Sequence, residues 1–124
     1  MKLLHAMIRV KDIQASLDFY QKLMGLKLVK TMDLEDCRLY YLANAEGEVE
    51  LELTHNFDTP INGYTQGNAF GHFAFEVPNM DEFTKRLHAF GVEYLWEPFE
   101  IQDGTLIAFF KDPDGNEIEV IQAV

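Results

Sequence analysis

Apolar and polar positions alternate through much of this chain, and the alternation breaks off in the same order twice. Residues 3–10 read as a strand, with Leu4, Ala6, Ile8 and Val10 on one face and Leu3, His5, Met7 and Arg9 on the other. Asp12 can cap a helix over 13–24, with Ile13, Leu17, Tyr20 and Met24 as its apolar stripe and Gly25 as its stop. Strands follow at 27–31, 38–43 and 49–55, separated by an acidic turn at 33–36 and a turn at 44–47. In the last of these strands Glu50, Glu52 and Thr54 share a face, which Asn56 joins if the strand persists. Residues 57–67 contain Pro60, Gly63 and Gly67 and have no clear period, so they read as a connection.

The order then recurs. A strand at 71–77 sets His72, Ala74 and Glu76 opposite Phe73, Phe75 and Val77. Asn79 can cap a helix over 80–90 with apolar face Phe83, Leu87 and Phe90, and Gly91 ends it as Gly25 ends the first. A short strand at 93–96, a turn at 102–104 and a strand at 105–111 lead to Asp112-Pro113-Asp114-Gly115, a strong hairpin-turn signal. The last strand, 117–122, aligns Glu117, Glu119 and Ile121. The expected class is therefore α+β: one domain of two βαβββ modules in tandem, at about 1–56 and 69–124, joined by a linker at 57–68, with eight strands and two main helices. Each helix covers one face of a small sheet. The other face carries His and Glu, which is unusual for an interior surface.

Composition narrows what such a chain can do. An apolar fraction of 48% with ten Phe and five Tyr supports a real core. The formal charge of −11 repels phosphate backbones and anionic lipid, so neither nucleic acid nor a membrane surface is expected as a partner. A bound cation is compatible with it. Cys37 is the single cysteine and cannot form an internal disulfide, which suits a reducing compartment. The first ten residues turn polar at Arg9, too soon for a signal sequence, and the expected location is the cytoplasm.

The candidate chemistry lies in the repeat. His5 and His72 are 67 positions apart, and so are Glu52 and Glu119. Taken singly, each is as readily an ordinary strand residue. Four at matched positions in repeated units suggest two imidazoles and two carboxylates around one divalent cation, a donor set that suits Zn, Ni, Co, Fe or Mn. His55 is out of phase with Glu52, and His88 reads as a solvated helix residue. Tyr40 and Tyr41 are strand residues, one of which could line the cavity, and Glu117 is the neighbouring carboxylate most worth following. No P-loop, dinucleotide fingerprint or Ser-His-Asp spacing is present.

With these residues in place, the chain resembles glyoxalase I of the vicinal-oxygen-chelate superfamily. The resemblance rests on LLHAMIRV, SLDFYQKLMGLKL, ELTHN, GHFAFEV and DPDGNEIEVIQ, nearly end to end. It implies that His5, Glu52, His72 and Glu119 are metal ligands, one divalent ion per site, with Ni(II) or Co(II) favoured and Zn(II) possible. It also implies half-barrel sheets completed in a homodimer, with His5 and Glu52 from one chain and His72 and Glu119 from the other. The implied reaction converts the methylglyoxal–glutathione hemithioacetal to S-lactoylglutathione, a detoxification. Glu119 would be the base, Glu52 a ligand that shares the proton work, and Arg9 and Asn56 would hold the glutathione moiety. Residues 100–104 contain no Lys or Arg, although relatives usually place a basic residue in that loop. The same fold also serves epimerases, thiol transferases, dioxygenases and metal-free ligand-binding proteins.

Overall fold

The computed structural model describes all 124 residues and divides into two compact units, Met1–Thr65 and Gln66–Val124. Each unit is a βαβββ module built on a four-stranded open sheet. In the first, β1 (His5–Arg9), a helix starting with α1 (Ile13–Leu17), β2 (Lys27–Asp33), β3 (Cys37–Ala43) and β4 (Glu50–Asn56) give the sheet order β1-β4-β3-β2. In the second, β5 (His72–Glu76), α2 (Met80–Ala89), β6 (Trp96–Gln102), β7 (Thr105–Lys111) and β8 (Glu117–Gln122) give β5-β8-β7-β6. The first and last strands of each module pair in parallel and the other pairs are antiparallel. A helix and a hairpin intervene between the parallel strands, long enough for that crossover. No helix is long and apolar enough to cross a membrane.

Both caps form as the sequence predicts. Asp12 accepts from the Ala15 amide at 3.1 Å, and Asn79 from the Glu82 amide at 2.9 Å. In the second unit α2 covers the sheet face opposite His72: Phe83 packs on Phe110, ring centroids 5.6 Å apart, and Met80, Phe83 and Leu87 are buried. Phe90, expected on that face, is the helix C-cap and is exposed.

Two expectations need correction. The first helix is α-helical only to Leu17; Asp18–Leu23 winds as a π-helix, and the Met24 amide donates to the Phe19 carbonyl five residues back. A π turn holds more residues than an α turn and rotates the later side chains around the axis. The buried side chains are accordingly Ser16, Phe19, Tyr20 and Leu23, and the stripe through Ile13, Leu17 and Met24 is only half-buried. The strand expected at 93–96 instead begins at Trp96 and runs to Gln102. Pro98 interrupts its pattern, and a register irregularity between Trp96 and Phe99 takes up the missing donor. β6 is an edge strand, where proline is tolerated.

The turn before β8 is tied down by side chains. The buried Asp112 accepts from the amides of Asp114 and Asn116 at 2.9 and 2.8 Å, and from the Asn116 side chain at 2.9 Å. Gly115 supplies the positive φ of 88° that the turn needs. This knot sets the β7–β8 register and thereby puts Glu119 directly opposite Phe109.

Candidate metal centre

Strand alternation and parallel pairing bring His and Glu together in each unit. On the first sheet His5 lies opposite Glu50 and Met7 opposite Glu52. His5 Nε2 reaches Glu52 Oε1 at 3.2 Å. On the second sheet His72 lies opposite Glu117 and Ala74 opposite Glu119, the same offset, and His72 Nε2 is 3.0 Å from Glu119 Oε1. In both pairs the imidazole is about two-fifths exposed and the carboxylate is largely covered. Each carboxylate thus lies against the sheet while its imidazole stays reachable from solvent.

The surroundings of the two pairs differ. Thr54 donates to Glu52 Oε2 at 3.0 Å. Tyr41 is directly opposite Glu52 across β3–β4, is buried, and stands edge-on to His5 with centroids 5.7 Å apart. Burial pushes the Tyr41 phenol up, and hydrogen bonding to Glu52 and the charges of Glu52 and Glu50 push it further. Lys30, opposite Tyr41 on β2, sits over its ring at 4.6 Å and pairs with Glu50 at 3.7 Å. In the second unit hydrocarbon takes these places. Phe109 is opposite Glu119 and edge-on to His72 at 5.3 Å, and Trp96 packs on Phe109 at 5.1 Å.

Arg9 is exposed on β1 opposite Thr54, on the face that carries His5. Asn56 ends β4 in phase with Glu52, and its side-chain amide donates to the Tyr64 hydroxyl at 2.9 Å. Thr59 donates to the Asn56 carbonyl at 2.6 Å, so the segment after β4 folds back on this residue. The structure therefore groups His5, Glu52, Arg9 and Asn56 on one sheet face, and His72 with Glu119 on another. Of the remaining histidines, His88 is less free than expected: it pairs with Glu93 at 3.6 Å and stacks edge-on with Tyr94. Sequence reasoning did not assign roles to Thr54, Tyr41 or Lys30. Thr54 had a signal, since it shares Glu52's phase. Cross-strand register selects Tyr41 from the Tyr40–Tyr41 alternative that the sequence left open, and it alone brings in Lys30.

The chemistry of each pair fits a divalent cation. Imidazole nitrogen and carboxylate oxygen are the donors such ions take, and adjacent donors at about 2.1 Å bonds lie about 3.0 Å apart on an octahedron and about 3.4 Å apart on a tetrahedron. The separations of 3.2 and 3.0 Å fall in that range, and they also suit a proton shared between the partners. Neither unit by itself gathers three or more His, Cys, Asp or Glu side chains into a cluster.

The chain is thus a tandem of two βαβββ modules, each with a histidine–glutamate pair on one face of its sheet. Residues 2–120 match the Glyoxalase/Bleomycin resistance protein/Dioxygenase superfamily, and the chain belongs to that family. A lactoylglutathione lyase of Neisseria meningitidis serogroup A is 42% identical over 127 residues, spanning 98% of this chain and 91% of that protein. One from Salmonella typhimurium is 38% identical, spanning 99% and 93%. Among solved structures, the trypanothione-dependent glyoxalase I of Leishmania major superposes with a TM-score of 0.85 at 30% identity, over 98% of this chain and 86% of that one. Glyoxalase I of Zea mays gives 0.89 at 30% identity, over 99% of this chain and 45% of that one.

Proposed function

We propose that this chain is a glyoxalase I: a lyase that isomerises the hemithioacetal of methylglyoxal and glutathione to S-lactoylglutathione. The observation that carries the reading is the pair of His–Glu contacts, made at the same strand offset in both modules of a chain related end to end to lactoylglutathione lyases. His5, Glu52, His72 and Glu119 would hold one divalent cation per site. The likeness to bacterial lactoylglutathione lyases favours Ni(II) or Co(II) over Zn(II), all of which accept imidazole and carboxylate donors. When bound, the ion supplies Lewis-acid polarisation of the two neighbouring substrate oxygens and so acidifies the C–H between oxygen and sulfur.

The protein residues do the rest. Glu119 accepts the proton from the carbon bearing the sulfur and the hydroxyl. It returns that proton to the adjacent former carbonyl carbon, and the hydroxyl proton of the first carbon passes to the oxygen of the second, so that the first carbon becomes the thioester carbonyl and the second the alcohol. Arg9, exposed on the face of the ligands, offers a planar fork to a carboxylate of the thiol moiety. Asn56 can exchange its hydrogen bond to Tyr64 for one to the substrate. Two donors per module are too few for a cation, so we place each site between two modules, supplied by different chains of a homodimer. Cys37, buried and free, supports a reducing compartment such as the cytoplasm.

The test is metal loading followed by assay. Protein stripped by chelator and reloaded with Ni(II) or Co(II) should convert methylglyoxal and glutathione to the lactoylthioester. In the same preparation Glu119→Gln should keep its fold and lose about 100-fold or more in kcat. Metal uptake without thioester would assign the site to another reaction of this family, and full activity of Glu119→Gln would remove it as the base.

A further inference from the structure

The two carboxylates of the site are equivalent by repeat but not by surroundings. Glu52 Oε1 faces His5, while Oε2 is taken by the Thr54 hydroxyl at 3.0 Å. With Oε2 fastened, the carboxylate plane is set and Oε1 stays aimed at the His5 imidazole. A second hydroxyl, that of Tyr41, belongs to the buried side chain directly across the sheet from Glu52. Lys30 caps the Tyr41 ring and His5 flanks it, so the ring has little room to turn. In the second module the counterpart of Thr54, two residues beyond the carboxylate, is Ile121, and the counterpart of Tyr41 is Phe109. Neither can donate. Glu119 keeps only its contact with His72. The terminal torsion of a glutamate is broad, so a carboxylate held through one oxygen pivots where one held through both does not.

We infer that Tyr41 and Thr54 are positioning residues that hold Glu52 as the standing ligand, and that the hydrocarbon around Glu119 leaves it the carboxylate free to swing between metal and substrate. The asymmetry divides the labour of two glutamates that the repeat alone would make identical. Oriented outer partners of this kind commonly govern metal retention. The inference rests on the functional reading above, because it assumes the four-donor site.

The experiment uses the full-length chain loaded with Co(II), whose visible spectrum reports coordination. Tyr41→Phe with Thr54→Val should lose Co(II) to a competing chelator about tenfold faster than wild type and change the absorption bands, with the melting temperature of the metal-free protein little altered. Phe109→Tyr, which adds a hydroxyl beside Glu119, should slow Co(II) release while lowering kcat about tenfold, with KM nearly unchanged. Should the double variant hold Co(II) with wild-type kinetics and spectrum, or should Phe109→Tyr leave kcat intact, the inference is overturned. A double variant that merely unfolds leaves Phe109→Tyr to decide. Wild-type protein that takes up no Co(II) overturns the functional reading itself and the inference with it; uptake by wild type with no difference among variants overturns the inference alone.

Discussion

Arg9 shows how much a single side chain can contribute when alternation fixes its direction. It lies four residues beyond His5, about 13 Å along the strand, and so on the same face. Its guanidinium is a cation on a chain of net charge −11, while the proposed thiol moiety is anionic. Long-range steering therefore opposes that substrate, and local pairing has to offset it. Arg9→Ala should raise KM for the glutathione hemithioacetal about tenfold or more while changing kcat less, as read from initial rates. An unchanged KM would mean that the thiol is held elsewhere. The same alternation made His5, Glu52, His72 and Glu119 legible, because period two states which side chains share a face. It did not reveal Tyr41, since only the β3–β4 pairing puts Tyr41 against Glu52, and pairing depends on loop lengths that the pattern does not encode.

Elements were legible where their ends carry local chemistry. Asp12 and Asn79 cap their helices, and Asp112 knots its turn, each through a short-range bond that the sequence spells out. The π-helix at Asp18–Leu23 has no such mark, and Pro98 conceals β6 because an edge strand can carry a proline that a central one cannot. Tyr94, in the connection between α2 and β6, gives the second unit a measurable sensitivity. Its hydroxyl lies 2.7 Å from that of Thr84 on the helix. Burial holds the phenol above its ordinary range, with Glu97 adding to this and the Thr84 bond opposing it. Below about pH 10 the phenol is neutral whether folded or unfolded, and its contribution to stability is fully present. As pH rises further the unfolded chain loses its proton first, so stability falls until the folded phenol also ionises. Urea unfolding between pH 8 and 11 should show this loss in wild type and a shallower one in Tyr94→Phe, which should cost about 1 kcal/mol at pH 8. Equal slopes would exclude Tyr94 as a source.

At the scale of the whole molecule, duplication explains why the parts of the site are spread along the chain. A βαβββ module presents one imidazole and one carboxylate on an open sheet, and one such pair cannot satisfy an ion that takes four to six ligands. In the proposed site two modules supply the set. In the proposed homodimer each site joins the first module of one chain to the second module of the other. That arrangement has a consequence no single-chain site can imitate. His5→Ala breaks the first half of a site, and His72→Ala breaks the second. Homodimers of either variant carry two damaged sites. A heterodimer of the two carries one site with both lesions and one with none. Unfolding and refolding an equal mixture pairs chains at random, so about half the dimers are mixed and about a quarter of wild-type activity should return from two inactive proteins. Metal content should recover in the same proportion, which separates restored sites from a trace of contaminating wild type. If each chain closed its own site, both variants would stay inactive however they were mixed, and the two modules of one polypeptide would have to face each other.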